Sequence, residues 1–428
     1  MQMRKYKLGD IATVEISGVD KKIKDGEKEI RLCNFVDVYY NWAITTAQHD
    51  GFMLATASPN EISKFQLKKG QVALTKDSET RDDIGIPTYI ADDFDDAILG
   101  YHCAMVTPNK DILDGRYLNA LLHTDYAKKY FACNASGSGQ RYALSVEALN
   151  SFPVPMIPLR DQERIGEIFS ALDKKIELNR RINQNLEAMA KQLYDYWFVQ
   201  FDFPNEEGKP YKSNGGTMVW NEKLKREIPE KWYSDNICLI VDILSGGTPS
   251  KQINEYWDCG CIPFFGPTDY DGSMFQLHTA DKITESGLQH CSSPLFKENT
   301  VIITARGSIG KSVIVGTPMA MNQSCYALKT KTGEYEYLYF LTAQLIDNLK
   351  AKGSGSVFKS IIASDIENTV LCIANEKVIT LFCDKISPIM KQIKKNTQEI
   401  VLLFKQRDEL LPLLMNGQVS VNSDLSLG

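Results

Sequence analysis

The sequence lacks several short patterns that mark catalytic and membrane proteins. None of its 16 prolines is followed by Pro or Asp, and no Gly-x-Gly motif follows an early strand. These absences exclude the Pro-Pro loop of a DNA amino-methyltransferase, a Pro-Asp nuclease core and a glycine-rich nucleotide cradle. No apolar run is long enough to cross a bilayer, and the N-terminal "MQMRKYKLGD" does not predict a signal peptide.

Metal-binding and acid–base patterns are also scarce. The ten cysteines include no Cys-x-x-Cys pair, and no His lies at a zinc-ligand interval from Cys259 and Cys261. The five histidines are dispersed, so we expect each to be a surface or packed residue. The acidic run Asp92–Asp96 lacks the Gly and Glu spacing of a calcium loop, which favours a solvated turn. Scattered cysteines are typical of a reducing cytoplasm, and we expect no bound metal.

The phrase "TARGSIGKS" (Thr304–Ser312) ends like a phosphate-binding P-loop. The position that requires the first glycine of that motif is Ala305, and the following run, "VIVG", is typical of a strand. A P-loop must instead open a helix, whose N-terminus faces the phosphates. The phrase therefore predicts the tip of a β-hairpin that carries Arg306 and Lys311.

The chain contains an internal repeat. The loop "NASGSGQRYALS" recurs about half a chain later as "AKGSGSVFKSI", and each copy follows a helical pattern, "RYLNALLHTDYAKKYF" or "EYLYFLTAQLIDNLKAK". The phrases "QVALTK", "CAMVTP", "VIITA" and "CYALKT" predict strands. We predict an α+β protein with two pseudo-symmetric α/β domains separated by two long antiparallel coiled-coil helices. The predicted boundaries are 1–158 for the first domain, 159–200 for a spacer helix, 201–375 for the second domain with a connector at 201–232, and 376–428 for a C-terminal helix and tail.

Heptad patterns in the two long helices predict that they pair. Pro388 should kink the second helix or limit its early turns. Asn residues occur in the middle of the predicted contact between the helices, and they select its register when they are buried and hydrogen-bonded. The alternative, that they lie on a wet edge, exposed to solvent beside the contact, is equally compatible with the pattern. The predicted seam comprises Phe169, Leu172, Ile176, Asn179, Asn183, Leu186, Leu193, Ile386, Ile389, Ile393, Asn396, Ile400 and Leu403.

Polar and cationic residues at corresponding places in the two halves indicate nucleic-acid recognition. Arg can read guanine through two hydrogen bonds and Asn or Gln can read adenine, whereas Ser and Lys contact phosphates. The net charge of −6 gives no general attraction to DNA, so local patches or partners must supply it. The candidates are Lys76, Ser78, Thr80, Arg81, Ser138, Arg141, Arg306, Ser308, Lys311, Asn322, Gln323, Ser354 and Lys359.

The whole chain resembles the specificity subunits of type I restriction–modification systems. The similarity is carried by "SGGTPSKQINEYWDCGCIPFF", "VIITARGSIGKSVIVGTPMAMNQ", "EIPEKW" and the helical "LRDQERIGEIFSALDKKIELNRRINQNLEAMAKQLYDYWFVQFDFP". The C-terminal helix departs from the pattern, because it lacks the Pro-Leu-x-x-Gln opening found at Pro158–Gln162.

The resemblance implies two target-recognition domains that each read one half of a split double-stranded DNA sequence, with the helices fixing the unread gap. It implies a cytoplasmic complex for host defence in which two modification subunits methylate adenine N6. Restriction subunits translocate and cleave DNA. The specificity chain itself has no catalytic residues, and S-adenosylmethionine, ATP and Mg²⁺ bind the partner subunits. Two alternatives remain open at this point: a coiled-coil adaptor that does not read DNA, and a solitary nuclease or methyltransferase.

Overall fold

A computed structural model describes residues 4–137, 139–352 and 360–415. The chain forms two compact units, one made of residues 1–177 and 403–428 and the other of residues 178–402. These bounds differ from the predicted domains because each long helix contributes its two ends to different units. None of the helices in the described ranges combines the length and the hydrophobicity needed to span a bilayer.

In the first unit, short strands alternate with short helices before a long helix begins. The strands are β1 Lys5–Lys7, β2 Ala12–Ile16, β3 Lys28–Cys33, β4 Ala43–Ile44, β5 Met53–Ala57, β6 Val72–Thr75, β7 Asp77–Ser78, β8 Pro87–Ile90, β9 Ala97–Leu99, β10 Cys103–Pro108, β11 Ser136–Gly137, β12 Tyr142–Ala143 and β13 Pro153–Pro155. The helices are α1 Leu8–Ile11, α2 Phe35–Tyr40, α3 Pro59–Phe65, α4 Gly115–Leu122, α5 Asp125–Asn134, α6 Val146–Asn150 and α7 Leu159–Tyr194, the last of which ends in the second unit.

The second unit repeats this order of elements. Its strands are β14 Met218–Asn221, β15 Arg226–Pro229, β16 Tyr233–Asn236, β17 Val241–Ser245, β18 Ile262–Phe265, β19 Phe275–Gln276, β20 Lys282–Ile283, β21 Val301–Thr304, β22 Ser312–Val315, β23 Ala320–Met321, β24 Cys325–Thr330 and β25 Val370–Ile373. Its helices are α8 Glu285–Gln289, α9 Tyr335–Lys352, α10 Ala363–Glu367 and α11 Glu376–Met415, the last of which ends in the first unit.

The sheet topology confirms the duplication. The first unit has a five-stranded sheet in the order β2-β10-β6-β8-β4, and the second has β17-β24-β21-β22-β19. In both sheets the last edge strand is parallel to its neighbour, whereas the other pairings are antiparallel. A three-stranded sheet, β5-β3-β9 or β20-β18-β23, is also present in each unit. Each strand of one sheet therefore has a counterpart in the other.

Two helical segments differ in detail from what their sequence patterns indicate. The pattern "RYLNALLHTDYAKKYF" forms two helices, α4 and α5, because Thr124 caps the second one: its hydroxyl oxygen accepts the Ala127 N–H at 3.4 Å. Pro388 does not limit helix α11, which continues from Glu376 to Met415. Pro388 and Asp384 are both exposed, so water can reach the carbonyl that loses its helical hydrogen bond.

The connector after helix α7 is ordered by aromatic packing. Helix α7 continues as one π-helical segment, Asp195–Val199. The rings of Phe203 and Trp232 are stacked with centroids 5.1 Å apart, and Phe203 also stacks on Tyr211 at 4.6 Å. Phe201, Phe203 and Trp232 are buried in the main core of the second unit. Burial of several large rings holds this Gly- and Pro-containing segment against the domain.

Candidate nucleic-acid interface

The hairpin between β21 and β22 carries the residues that the P-loop-like phrase predicted at its tip. Val301–Ile303 pair antiparallel with Ser312–Ile314, which leaves residues 305–311 as the connecting loop. The Thr304 hydroxyl oxygen accepts the Lys311 N–H at 3.0 Å and closes the loop. No helix follows, so the N–H groups required to hold an ATP phosphate are missing. The prediction of a hairpin is confirmed.

The 76–86 loop of the first unit has the same construction. It joins β6 to β8, and the Thr75 hydroxyl oxygen accepts the Ile86 N–H at 3.0 Å. Gly85 and Gly310 take equivalent positions, with φ of 77° and 72°. The Gly85 N–H donates to the Thr75 carbonyl oxygen and the Gly310 N–H donates to the Thr304 carbonyl oxygen, both at 2.9 Å. Only glycine adopts such φ values readily, so the two loops have the same backbone conformation at this position for the same reason.

In each unit, a second segment of the chain is hydrogen-bonded to the first residue of this loop. Leu144 N–H donates to the Lys76 carbonyl at 2.8 Å, and Ile361 N–H donates to the Ala305 carbonyl at 2.9 Å. In the first unit, strand β7 of the 76–86 loop pairs with β12, and β12 pairs with β11, so these three strands form one small sheet. The structure thus joins two segments that are distant in the sequence and that both contain predicted site residues.

Three predicted site residues lie outside the described residues: Ser138, Ser354 and Lys359. Arg141 is exposed, as are Thr80 and Arg81. The Arg81 guanidinium lies over the Tyr142 ring, 5.1 Å from its centroid, which ties the 76–86 loop to strand β12. Two arginines therefore project from adjoining parts of one small sheet.

Lys76 and Ser78 are less accessible than these arginines. Lys76 Nζ lies 2.8 Å from an Asp77 carboxylate oxygen, and the second bond to that oxygen comes from His102 Nδ1. Burial favours protonation of Asp77, but the hydrogen bonds from Lys76 and His102 outweigh it and hold its pKa below the usual range. The carboxylate is therefore charged and positions two potential hydrogen-bond donors. Ser78 is half-buried, and its hydroxyl oxygen accepts the Thr80 N–H at 3.2 Å.

In the second unit, Arg306, Ser308 and Lys311 are all exposed on the 305–311 loop. A hydrogen bond from the preceding strand fixes the backbone of this loop, because the Thr304 hydroxyl donates to the Ser308 carbonyl at 2.5 Å. Lys311 Nζ lies 5.6 Å from the centroid of the Tyr270 ring. An exposed guanidinium, hydroxyl and ammonium on a rigid tip are suited to contact bases and phosphates of DNA.

The 322–324 loop lies beside this tip, since Ala305 N–H and Arg306 N–H both donate to the Ser324 carbonyl, at 2.8 and 3.2 Å. Gln323 is exposed and its amide oxygen accepts the Thr248 hydroxyl proton at 2.5 Å. The Asn322 amide oxygen accepts the Ser324 N–H at 2.9 Å, so this side chain shapes the loop. Of the two predicted amides, only Gln323 projects outward.

Sequence reasoning missed Lys350, which adds a cation at the 305–311 loop. A Cβ on Gly310 would lie 3.1 Å from Lys350 Cε, so the lysine stem covers the loop tip. Lys350 is on helix α9, about forty residues along the chain from this loop. No short-range pattern in the sequence connects them.

The seam predicted between the long helices contains buried, partnered Asn side chains. In the second unit Asn183 accepts the Asn396 amide proton at 2.8 Å and donates to the Thr397 hydroxyl at 3.2 Å. Asn179 donates to the Glu399 carboxylate at 2.9 Å. Residue numbers of the paired positions thus increase along α7 while they decrease along α11, which shows that the helices are antiparallel. Asn179, Asn183, Ile386, Ile393 and Asn396 are buried, whereas Leu186, Leu193, Ile389 and Ile400 are half-buried.

The first unit contains the other end of both helices. Phe169 and Ile176 are buried there, and Leu172 and Leu403 are half-buried. Phe169 belongs to the main core of this unit, together with Leu411 and Leu414 of helix α11. The buried Met390 and Thr397 of the second unit were not in the predicted seam. The wet-edge interpretation of the Asn residues is therefore wrong for Asn179, Asn183 and Asn396.

In the described ranges, no group of three or more His, Cys, Asp or Glu side chains could hold a metal ion. The ten cysteines are free thiols. Within the run Asp92–Asp96, Asp92 accepts the Thr46 N–H at 2.8 Å and Asp93 accepts the Lys69 N–H at 3.0 Å. These two carboxylates therefore act in local turns.

Comparison with known proteins identifies the family of the chain. The Type I restriction modification DNA specificity domain matches residues 2–188 and 229–401. The chain is 27% identical over 319 residues to the type I restriction enzyme MjaIX specificity subunit of Methanocaldococcus jannaschii, which covers 73% of this chain and 71% of that protein. It is 23% identical over 409 residues to the HindI specificity subunit of Haemophilus influenzae, covering 83% and 88%.

A similar fold is found in the crystal structure of a type I restriction–modification S subunit from M. genitalium. The TM-score is 0.56 at 14% sequence identity, and the match covers 97% of this chain and 96% of that one. The chain therefore belongs to the type I restriction modification DNA specificity domain family, and its role is to provide DNA specificity rather than catalysis.

Proposed function

We propose that each unit reads one half of a split target in double-stranded DNA. The observation that carries this proposal is that the two units have corresponding loops. The 76–86 loop and the 305–311 loop follow equivalent strands and are closed by equivalent Thr hydroxyls. Both loops present exposed cations, Arg81 in one and Arg306 in the other. A duplicated reading edge suits an asymmetric target with two separate halves.

Within this proposal, the exposed side chains divide into base readers and phosphate binders. Arg306 can donate two parallel hydrogen bonds to guanine, and Gln323 can exchange two with adenine. Lys311, Lys350 and Ser308 suit the phosphate backbone, which positions the protein without reading sequence. In the first unit Arg81 and Arg141 take the role of base readers, and Lys76 and Thr80 lie beside them.

We further propose that helices α7 and α11 determine the length of the unread gap. The buried bond between Asn183 and Asn396 supports this role, because polar pairs in an apolar seam select one register. A fixed register gives the helix pair a fixed length. The proposal requires that both helices act together as a spacer.

The catalytic steps are assigned to partner subunits. We propose that two methyltransferase subunits and the restriction subunits dock on this chain in the cytoplasm, and that S-adenosylmethionine, ATP and Mg²⁺ bind to them. The net charge of −6 supports a shared interface, since a chain of this charge needs additional cations to hold a long DNA duplex. The ten free thiols fit a reducing compartment.

A salt series tests the DNA-reading role. Binding of random and target-containing duplexes is measured from low to physiological salt, with and without the modification subunits. The proposal predicts an affinity that falls steeply with salt and a preference for target DNA once the modification subunits are present. A flat response under both conditions would favour the coiled-coil adaptor.

A further inference from the structure

The loop between β9 and β10, residues 100–102, has a counterpart in the second unit. It precedes strand β10, as the 322–324 loop precedes the equivalent strand β24. Lys76 N–H donates to the His102 carbonyl at 2.8 Å, and Ala305 N–H donates to the Ser324 carbonyl at 2.8 Å. His102 therefore occupies the position of Ser324, and Tyr101 occupies that of Gln323.

The hydrogen bond of Gly100 also shows that the 100–102 loop corresponds to the 322–324 loop. Its N–H donates to the Cys33 carbonyl at 2.8 Å, and Asn322 N–H donates to the Phe265 carbonyl at 2.9 Å. Cys33 and Phe265 are the last residues of β3 and β18, which are central strands of the two three-stranded sheets. Both loops are thus held at the junction of the same two sheets.

The side chains of Tyr101 and His102 are held in place but remain accessible. His102 has a φ of 72°, a left-handed conformation that non-glycine residues rarely adopt without compensation. Its Nδ1 is bonded to Asp77, and the ring lies against Tyr101 with centroids 3.7 Å apart. The His102 side chain is 19% exposed and Tyr101 is 37% exposed. His102 Nε2 makes no hydrogen bond within the described ranges.

We propose that Tyr101 and His102 read bases in the half of the target that the first unit recognises. This inference rests on the proposed function and adds a reading element that the short-range sequence pattern did not indicate. The first unit then presents two loops to DNA, 76–86 and 100–102, as the second presents 305–311 and 322–324.

The bond to Asp77 determines what His102 can recognise. A carboxylate at Nδ1 holds the proton on that nitrogen, so Nε2 of the neutral ring is a hydrogen-bond acceptor. An acceptor in the major groove suits the amino groups of adenine and cytosine. The Tyr101 hydroxyl can donate or accept, and its ring contacts the imidazole at an interplanar angle of 40°. Asp77, which Lys76 and His102 share, is the positioning residue for both loops.

The test uses the chain assembled with its modification subunits. A pool of duplexes randomised in either half is methylated, and the methylated fraction is sequenced. The variants are His102→Asn, because Asn tolerates a positive φ, and Tyr101→Ala, with Tyr40→Ala as a matched control at an exposed tyrosine outside these loops. The melting temperature of each variant is followed in parallel, and Arg306→Ala is included as a variant of the second unit.

The inference predicts that His102→Asn and Tyr101→Ala each change the base preference in one half by about tenfold at one or more positions. The half that Arg306→Ala affects stays unchanged, and so does the whole profile of Tyr40→Ala. Unchanged preferences in both loop variants, while Arg306→Ala alters its half, overturn the inference and leave the proposed function intact. If Arg306→Ala also changes nothing, the proposed function fails as well.

Discussion

The Asn396 amide donates a hydrogen bond to the Asn183 amide oxygen at 2.8 Å, inside a seam formed by apolar side chains. Asn183 is 8% exposed and Asn396 is 4% exposed. A second bond, from Asn183 to Thr397, uses the other side of the same amide. Removal of Asn183 would leave the buried Asn396 N–H without its acceptor, although Asn396 still accepts a hydrogen bond from Gln392 and Thr397 still donates one to the Ile393 carbonyl.

The first prediction concerns this pair. Asn183→Leu should lower the free energy of unfolding by about 1–3 kcal/mol, since the Asn396 N–H loses its acceptor and the Thr397 hydroxyl oxygen loses a donor. The double variant with Asn396→Leu should recover much of that loss, because the buried Asn396 amide that lost its acceptor is then removed as well. Urea unfolding of the four combinations measures the coupling. Gln184→Leu, at an exposed position of the same helix, is the control. A single variant as stable as the parent would show that the bond contributes nothing.

The second prediction concerns Glu187 on helix α7. Burial raises its pKa to about 7, although a backbone hydrogen bond with Met274 opposes the shift. The folded protein therefore keeps this proton up to about pH 7, whereas the unfolded chain releases it near the ordinary value of 4.5. Stability from this group is present below pH 4.5 and is lost as the pH rises to 7.

Melting temperatures between pH 5 and 8 test this assignment. Relative to Glu187→Gln, the parent protein should lose about 1–2 kcal/mol across this range, a value reduced for partial exposure to solvent. Glu163→Gln, at an exposed site on the same helix, should keep the pH profile of the parent protein. Parallel curves for parent and Glu187→Gln would contradict the buried, protonated state.

The third prediction concerns the spacer. One heptad inserted into α7 near Ile182, with a matching heptad in α11 near Gln398, should lengthen the helix pair by about 10 Å. At 3.4 Å per base pair, the preferred gap should increase by about three base pairs. Methylation of duplexes with gaps of graded length measures it. Seven Gly and Ser residues inserted after Gly208, in the exposed connector, are the control. An unchanged optimum would discard the spacer role.

Much of the fold was accessible from the sequence because its strongest patterns are local. Alternating and β-branched residues gave the hairpin of β21 and β22, and heptads gave helices α7 and α11. The break at Thr124 was missed, because a cap inside a continuous helical pattern is a weak signal next to its periodicity. Pro388 does not interrupt helix α11, since exposure to water removes much of the cost of the lost hydrogen bond.

The recognition edge was only partly accessible. The 76–86 and 305–311 loops follow recognisable strands, but the small sheet of β7, β12 and β11 joins residues about sixty positions apart. Tyr101 and His102 were missed because dispersed histidines are usually surface or packed residues. The available signal was the match between "CAMVTP" and "CYALKT", since the residues just before these strands, Tyr101-His102 and Gln323-Ser324, become equivalent in the fold.

The most direct measurement compares Arg81→Ala with Arg306→Ala in methylation of DNA that is scrambled in one half at a time. If the units read independently, each variant loses discrimination by about tenfold in a different half and keeps it in the other, because each arginine lies in a different unit. Equal losses in both halves from either variant would contradict independent reading by two duplicated units.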